Sequence, residues 1–169
     1  FDLKGEYFKM DDADIRFYAN AGFSGSADQK IAQNAGRMNY GTININKTSG
    51  EVILENDLAL EGYSTLEIRE GSLYTGGYDL SVQGTFINEG TIKVDGTENV
   101  TLSMDTDSGR AEYLYGGSLV LGSSYNDLVI SSGVVTLTSD IDVNGDLELL
   151  GTSQLNADTY NITLGGSWH

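Results

Sequence analysis

The side chains in this chain that could do chemistry are mostly carboxylates. Asp11, Asp12 and Asp14 fall together, with Lys9 and Arg16 beside them. Paired carboxylates act as general acid and base when their surroundings push them apart. Here only two basic neighbours join them, and a solvated turn is the default reading. The chain has one histidine, His169, which is its last residue, and it has no cysteine. A Ser-His-Asp or Cys-His arrangement is therefore not expected. No HExxH, P-loop or dinucleotide-binding glycine signature occurs. The expectation is a protein without catalytic residues.

Two acidic stretches invite a calcium reading. Asp140-Ile-Asp142-Val-Asn144-Gly145 opens like an EF-hand loop, but Gly151 stands where the bidentate Glu is required. Ile141 and Val143 alternate with the acids, which reads instead as a strand ending in an Asn-Gly corner. Asp105, Asp107 and Glu112, around the glycine-bearing stretch to Gly109, are the better calcium candidate. No other cofactor is expected. Asn46, Asn99 and Asn161 each open an Asn-x-Thr tripeptide that accepts an N-glycan in a suitable host. The same tripeptide arises wherever an Asn corner leads into a Thr-bearing strand. Ten tyrosines are present. They suit a carbohydrate-binding face, but Tyr78 and Tyr160 occupy matching positions that suit corner packing.

The elements that must position these groups follow from a recurring spacing. Leu58-x-Leu60-x-Gly62, Leu80-x-Val82-x-Gly84, Ile141-x-Val143-x-Gly145 and Ile162-x-Leu164-x-Gly166 share one form, and Val100/Leu102 and Leu119/Leu121 fit it less strictly. The step is about 20–22 residues, a period that signals a solenoid whose units bury their apolar faces by stacking. Asn99–Met104, Gly133–Thr138 and Asp146–Leu149 alternate apolar and polar residues as half-buried strands do. Asn-Gly, Gly-Gly and Ser-Gly pairs between them supply the positive φ of tight corners. The expected fold is all-β, a right-handed parallel β-helix of about eight coils. Its apolar pairs 58/60, 80/82, 100/102, 119/121, 141/143 and 162/164 are expected to stack in one inward ladder. A β-sandwich is the alternative, but it would not hold one register at constant spacing. Between Ser24 and Gly36 the pattern breaks. Ser26 and Gln29 suit a helical capping box, while Gln29-Lys-Ile31 suits a strand followed by a loop.

A longer period of about 82–85 residues relates Tyr40–Ile45 to Tyr125–Ile130, Val52–Gly62 to Val135–Gly145, and Leu80–Phe86 to Ile162–Trp168. The reading is a single solenoid domain over 1–169 with two imperfect repeats, about 1–85 and 86–169. Phe1-Asp-Leu3-Lys-Gly5-Glu-Tyr7 falls in the same phase as Ile162–Trp168, and no polar cap is evident at either end. Solenoid ends need covering. Phe1, Leu3, Tyr7, Phe8, Leu164 and Trp168 are therefore expected to form a head-to-tail interface, with other copies or with further repeats of a longer polypeptide.

Charge narrows the partners. The net charge is −16, so phosphate backbones and anionic lipid are repelled. The apolar runs fall well short of the roughly 18 residues of a membrane helix. Nucleic acid and membrane insertion are not expected.

Gly71–Ile92 and Val135–Leu147 resemble the coils of large repetitive bacterial extracellular β-solenoids of the adhesin, filamentous-haemagglutinin-like or autotransporter-passenger kind. The resemblance covers most of the chain from Tyr40 onward and carries no catalytic residue. It implies an extracellular or cell-surface location and an elongated structural or adhesive role. Self-association, glycans and surface receptors are the partners in view. The competing class is a β-helix that binds or cleaves polysaccharide.

Overall fold

In the computed structural model, which describes residues 2–3, 5–11, 16–17 and 19–169, the chain winds into a β-solenoid of about eight turns. Among the described residues every pairing between strands is parallel. A parallel ladder needs a long return path, which the coil supplies, so the antiparallel sandwich is ruled out. No helix occurs among the described residues; Gln29–Gln33 is a strand.

Three faces make up each coil. On the first face Leu3, Phe23, Ile45 and Ile68 lie in successive registers, and further along so do Tyr125, Val143 and Leu164. The second face is one ladder of Gln29, Val52, Leu73, Ile92, Ala111, Leu128 and Leu147, which ends in a bridge to Trp168. The third face carries Leu58, Leu80 and Val100, then Gly117, Val135 and Leu155. The segments Arg37–Leu54 and Leu58–Tyr74 each run extended through all three faces. Inward aliphatics from every face merge into one core, in which Ile43, Leu60, Leu66, Leu73, Ile92 and Leu128 are fully buried.

Two features differ from the sequence reading. The step is not constant. Phe8 to Ile31 and Ile31 to Leu54 are 23 residues each, Leu73 to Ile92 is 19, Ala111 to Leu128 is 17, and Leu147 to Trp168 is 21. Nor do the six apolar pairs share one ladder. Leu58, Leu80 and Val100 stack on the third face, but Val143 rests on Tyr125, and Ile141 and Val143 pair with Ile162 and Leu164 on the first. All faces use the same apolar-x-apolar form, so spacing alone cannot tell them apart.

The long repeat is displaced in the same way. Leu58/Leu60 on the third face correspond to Ile141/Val143 on the first, and Val52 on the second corresponds to Val135 on the third. The offset is four coils plus one face. Matching turns move with it: the Tyr78 N–H donates to the Thr75 carbonyl at 3.1 Å, and the Tyr160 N–H to that of Ala157 at 2.9 Å. At the two ends, Leu3 and Leu164 do share the first face.

The corners follow chemistry more than one rule. Gly50, Gly109 and Gly133, each after a Ser, have positive φ. At Asn144-Gly145 the reason is space. A Cβ on Gly145 would lie 2.1 Å from an Asp127 carboxylate oxygen, and its φ is not positive.

Candidate functional site

A surface depression lies over the first face of the early coils. Outward side chains there alternate with the core aliphatics: Gly22 between Ala21 and Phe23, Asn44 between Ile43 and Ile45, Glu67 between Leu66 and Ile68. Register places Asp2, Gly22, Asn44 and Glu67 in one row across four coils. Gly22 has no side chain, and the row dips there. The result is an open groove of about 540 Å³, whose walls include Asn20, Ser24, Thr42, Asn46 and Arg69.

Hydrogen bonds fix these walls. Glu67 accepts Asn44 Nδ2 at 2.6 Å and Arg69 Nε at 2.7 Å. Asp2 accepts Ser24 Oγ at 2.8 Å, and the Asn20 side-chain oxygen accepts the Thr42 N–H at 2.9 Å. Two residues before Thr42 comes Tyr40, whose ring stacks on Tyr63 with centroids 5.4 Å apart and planes at 20°. Tyr63 is 79% exposed, and the pair stands on the strand segments that lead into the groove, outside its lining. The arrangement offers directional polar donors and acceptors along one row, with exposed aromatic surface on the strands that lead into it.

Beneath the next corner the interior is polar. The first two full coils are long, and their extra residues widen the corner between the first and second faces. Lys47 fills it, wholly buried, with Nζ donating to the Ala27 carbonyl at 2.6 Å and to Gln29 Oε1 at 2.9 Å. Gln29 in turn donates to the Leu3 and Gly5 carbonyls. Burial pulls the Lys47 pKa down, and the nearby Asp28 charge partly offsets this. A second buried charge, Glu98, accepts the Thr75 hydroxyl and the N–H groups of Asp95, Gly96 and Thr97. Burial alone would raise its pKa. The Thr75 hydroxyl and the corner amides outweigh that and hold it below the ordinary carboxylate range.

Several of the acids singled out in the sequence have local partners. Asp105 accepts the N–H of Asn88 and of Asp107, each at 3.1 Å. Glu112 stands on a second-face strand, bonded by the Ser131 hydroxyl and 3.9 Å from Lys93. No group of three or more His, Asp or Glu side chains is placed to hold a metal among the described residues. Asp140 caps the Asn161 N–H of the next coil at 2.8 Å, while Ile141 and Val143 point into the core. Asp11 pairs with Lys9 at 3.1 Å and accepts Asn34 Nδ2 at 2.6 Å; Asp12 and Asp14 lie outside the described residues. His169 approaches Asp146 to 3.9 Å.

Of the glycan-acceptor asparagines, Asn99 and Asn161 turn their side-chain amides onto Asp79 and Asp140 of the preceding coil, at 3.0 and 3.3 Å, and Asn46 lies in the groove wall. Of the end residues, Tyr7 and Trp168 are 45% and 55% exposed. Phe8 is already buried, edge-on to Phe23 at 6.3 Å, and Leu3 and Leu164 are half-buried. Phe1 lies outside the described residues. The groove was missed in the sequence. Its signal is the run Asn20, Thr42, Thr65 and Thr85 at outward positions, which shows only once the first-face register is known.

No family model, curated protein or solved structure matches this chain.

Proposed function

We propose that this chain is a structural and adhesive segment of an extracellular or cell-surface filament or stalk, in which like coils continue the stack at both ends. The observation that carries the reading is the phase match of the terminal coils. Leu3 and Leu164 stand on the first face, and Tyr7–Met10 and Trp168 on the second. A coil following Trp168 in the same winding therefore meets strands arranged as those at Asp2–Met10 are. The continuation is by further repeats of one polypeptide or by other copies. Contact of this head-to-tail kind is heterologous and does not close, so it propagates.

The surface supports the same reading. A net charge of −16 discourages sideways association, while the exposed ring of Trp168 offers apolar area at one end and Tyr7, bonded to Glu55 and lying under Lys30, flanks the other. Catalysis is no part of the proposal. The test is electron microscopy of the native particle, with sedimentation velocity across a concentration series. Rods longer than one chain, of constant width, are expected. Particles that stay monomeric at the highest concentration, with a different element folded over both end coils, would overturn it.

A further inference from the structure

The groove over the first face has a composition that end-to-end stacking does not use. We infer that it is a binding subsite for an uncharged oligosaccharide. The inference rests on the adhesive part of the reading above and gives it a ligand class.

Three features select that class. The walls present the hydroxyls of Ser24 and Thr42 and the carboxamides of Asn44 and Asn46, which donate and accept, the acceptor carboxylate of Glu67 and the donor guanidinium of Arg69, a mixture that sugar hydroxyls require. Several of these groups are already held, Glu67 between Asn44 and Arg69 and Ser24 by Asp2, so less side-chain freedom is lost on binding. The Tyr40–Tyr63 stack, two residues ahead of Thr42 and Thr65 on the same strands, offers exposed aromatic surface to the C–H face of a pyranose ring in a ligand that extends past the groove. Charge then separates neutral from acidic sugars. Glu67 already spends the Nε–H of Arg69, Asp2 lies at the other side, and the whole molecule is strongly negative. A sulfated or uronic-acid sugar would approach against that field.

The decisive position is Gly22, because its missing side chain makes the depression. It lies in a parallel strand without positive φ, so a side chain there brings no left-handed backbone strain. The experiment is titration of the 15N-labelled protein with cellobiose, maltose, lactose and chitobiose, and in parallel with a sulfated and a uronic-acid disaccharide. Neutral sugars are expected to shift amides of residues 20–24, 42–46 and 63–69. Gly22→Gln is expected to abolish those shifts, and Tyr63→Ala to weaken binding about tenfold, a loss of about 1.4 kcal/mol. Thermal melts confirm that both variants keep the coil. Any of four results overturns the inference: no neutral sugar moves these amides, the shifts map elsewhere, Gly22→Gln binds as well as the parent, or the acidic sugars bind more tightly. Both substitutions face outward, Gly22 on the first face in the coil next to the end strand at Asp2, and neither touches Trp168 at the other end. Failure here leaves the rod reading standing, and failure of the rod leaves this titration readable.

Discussion

Glu98 shows how one side chain can organise a corner. Its carboxylate occupies the centre of a turn whose amides would otherwise point at nothing, and it is nearly inaccessible to water. Replacing it with Gln keeps the shape but puts an NH2 where donors already converge. The expected cost is about 1–3 kcal/mol at pH 7, measured by chemical denaturation. The pH dependence has a definite sign. The folded-state pKa is depressed, so the contribution is fully present above the unfolded-state value of about 4.3 and is lost as pH falls through the folded value. The gap between parent and Glu98→Gln should therefore close on acidification from pH 5 downward. A gap that stays constant through that range would assign the loss to packing. Catalysis is tested at the same scale. Release of reducing ends from pectin, alginate, chitin or xylan, abolished by changing Asp11, Asp12 or Asp14, would contradict the reading of this chain as non-catalytic.

Strands and corners depend on one another through the stacking distance. Leu80 is buried between Leu58 and Val100, so Leu80→Asp places an unpaired charge inside the ladder and should cost several kcal/mol. The corner at Gly133 is tighter still. Its φ is +73°, and a Cβ there would lie 1.7 Å from the Tyr115 carbonyl oxygen of the coil below. Gly133→Ala forces two coils apart and should destabilise more than the roughly 1 kcal/mol typical of exposed helix Gly/Ala exchange. A drop in melting temperature smaller than that of an outward control such as Thr136→Ala would show that the corner relaxes freely. At this scale the sequence was most legible. Alternation at Leu80–Val82 or Ile141–Val143 identifies strand and inward side correctly, because period 2 is a property of the single strand. Which face a strand belongs to is a property of the whole turn. It was hidden by coils of 17 to 23 residues and by faces that all use the same apolar form. Lys47, Gln29 and Glu98 were not anticipated as interior groups either. Their burial follows from corner width and inward-pointing backbone groups, and neither has a local signature.

Taken as a whole, the molecule has sides that repel their like and ends that carry aromatic surface. Trp168→Asp with Tyr7→Asp should shorten or abolish assemblies of separate chains while the circular dichroism of the coil persists. Raising salt from about 20 to about 500 mM shortens the Debye length several-fold. It should promote lateral bundling more than elongation, as read by electron microscopy. Elongation that responds to salt as strongly as bundling does would point to charge, rather than ring burial, as the end contact.

The displacement of the long repeat by one face acts as a screw. Four coils and a third, at about 4.8 Å each, advance about 21 Å and turn the pattern by roughly 120°. Across the whole chain that turn is undone, because Leu3 and Leu164 share the first face a whole number of coils apart. Copies joined in that register would bring a ligand-binding patch back to one azimuth at each repeat, about every 40 Å along the axis. The stalk would then present a single adhesive side, and a layer line at about 40 Å in its diffraction would reveal the repeat.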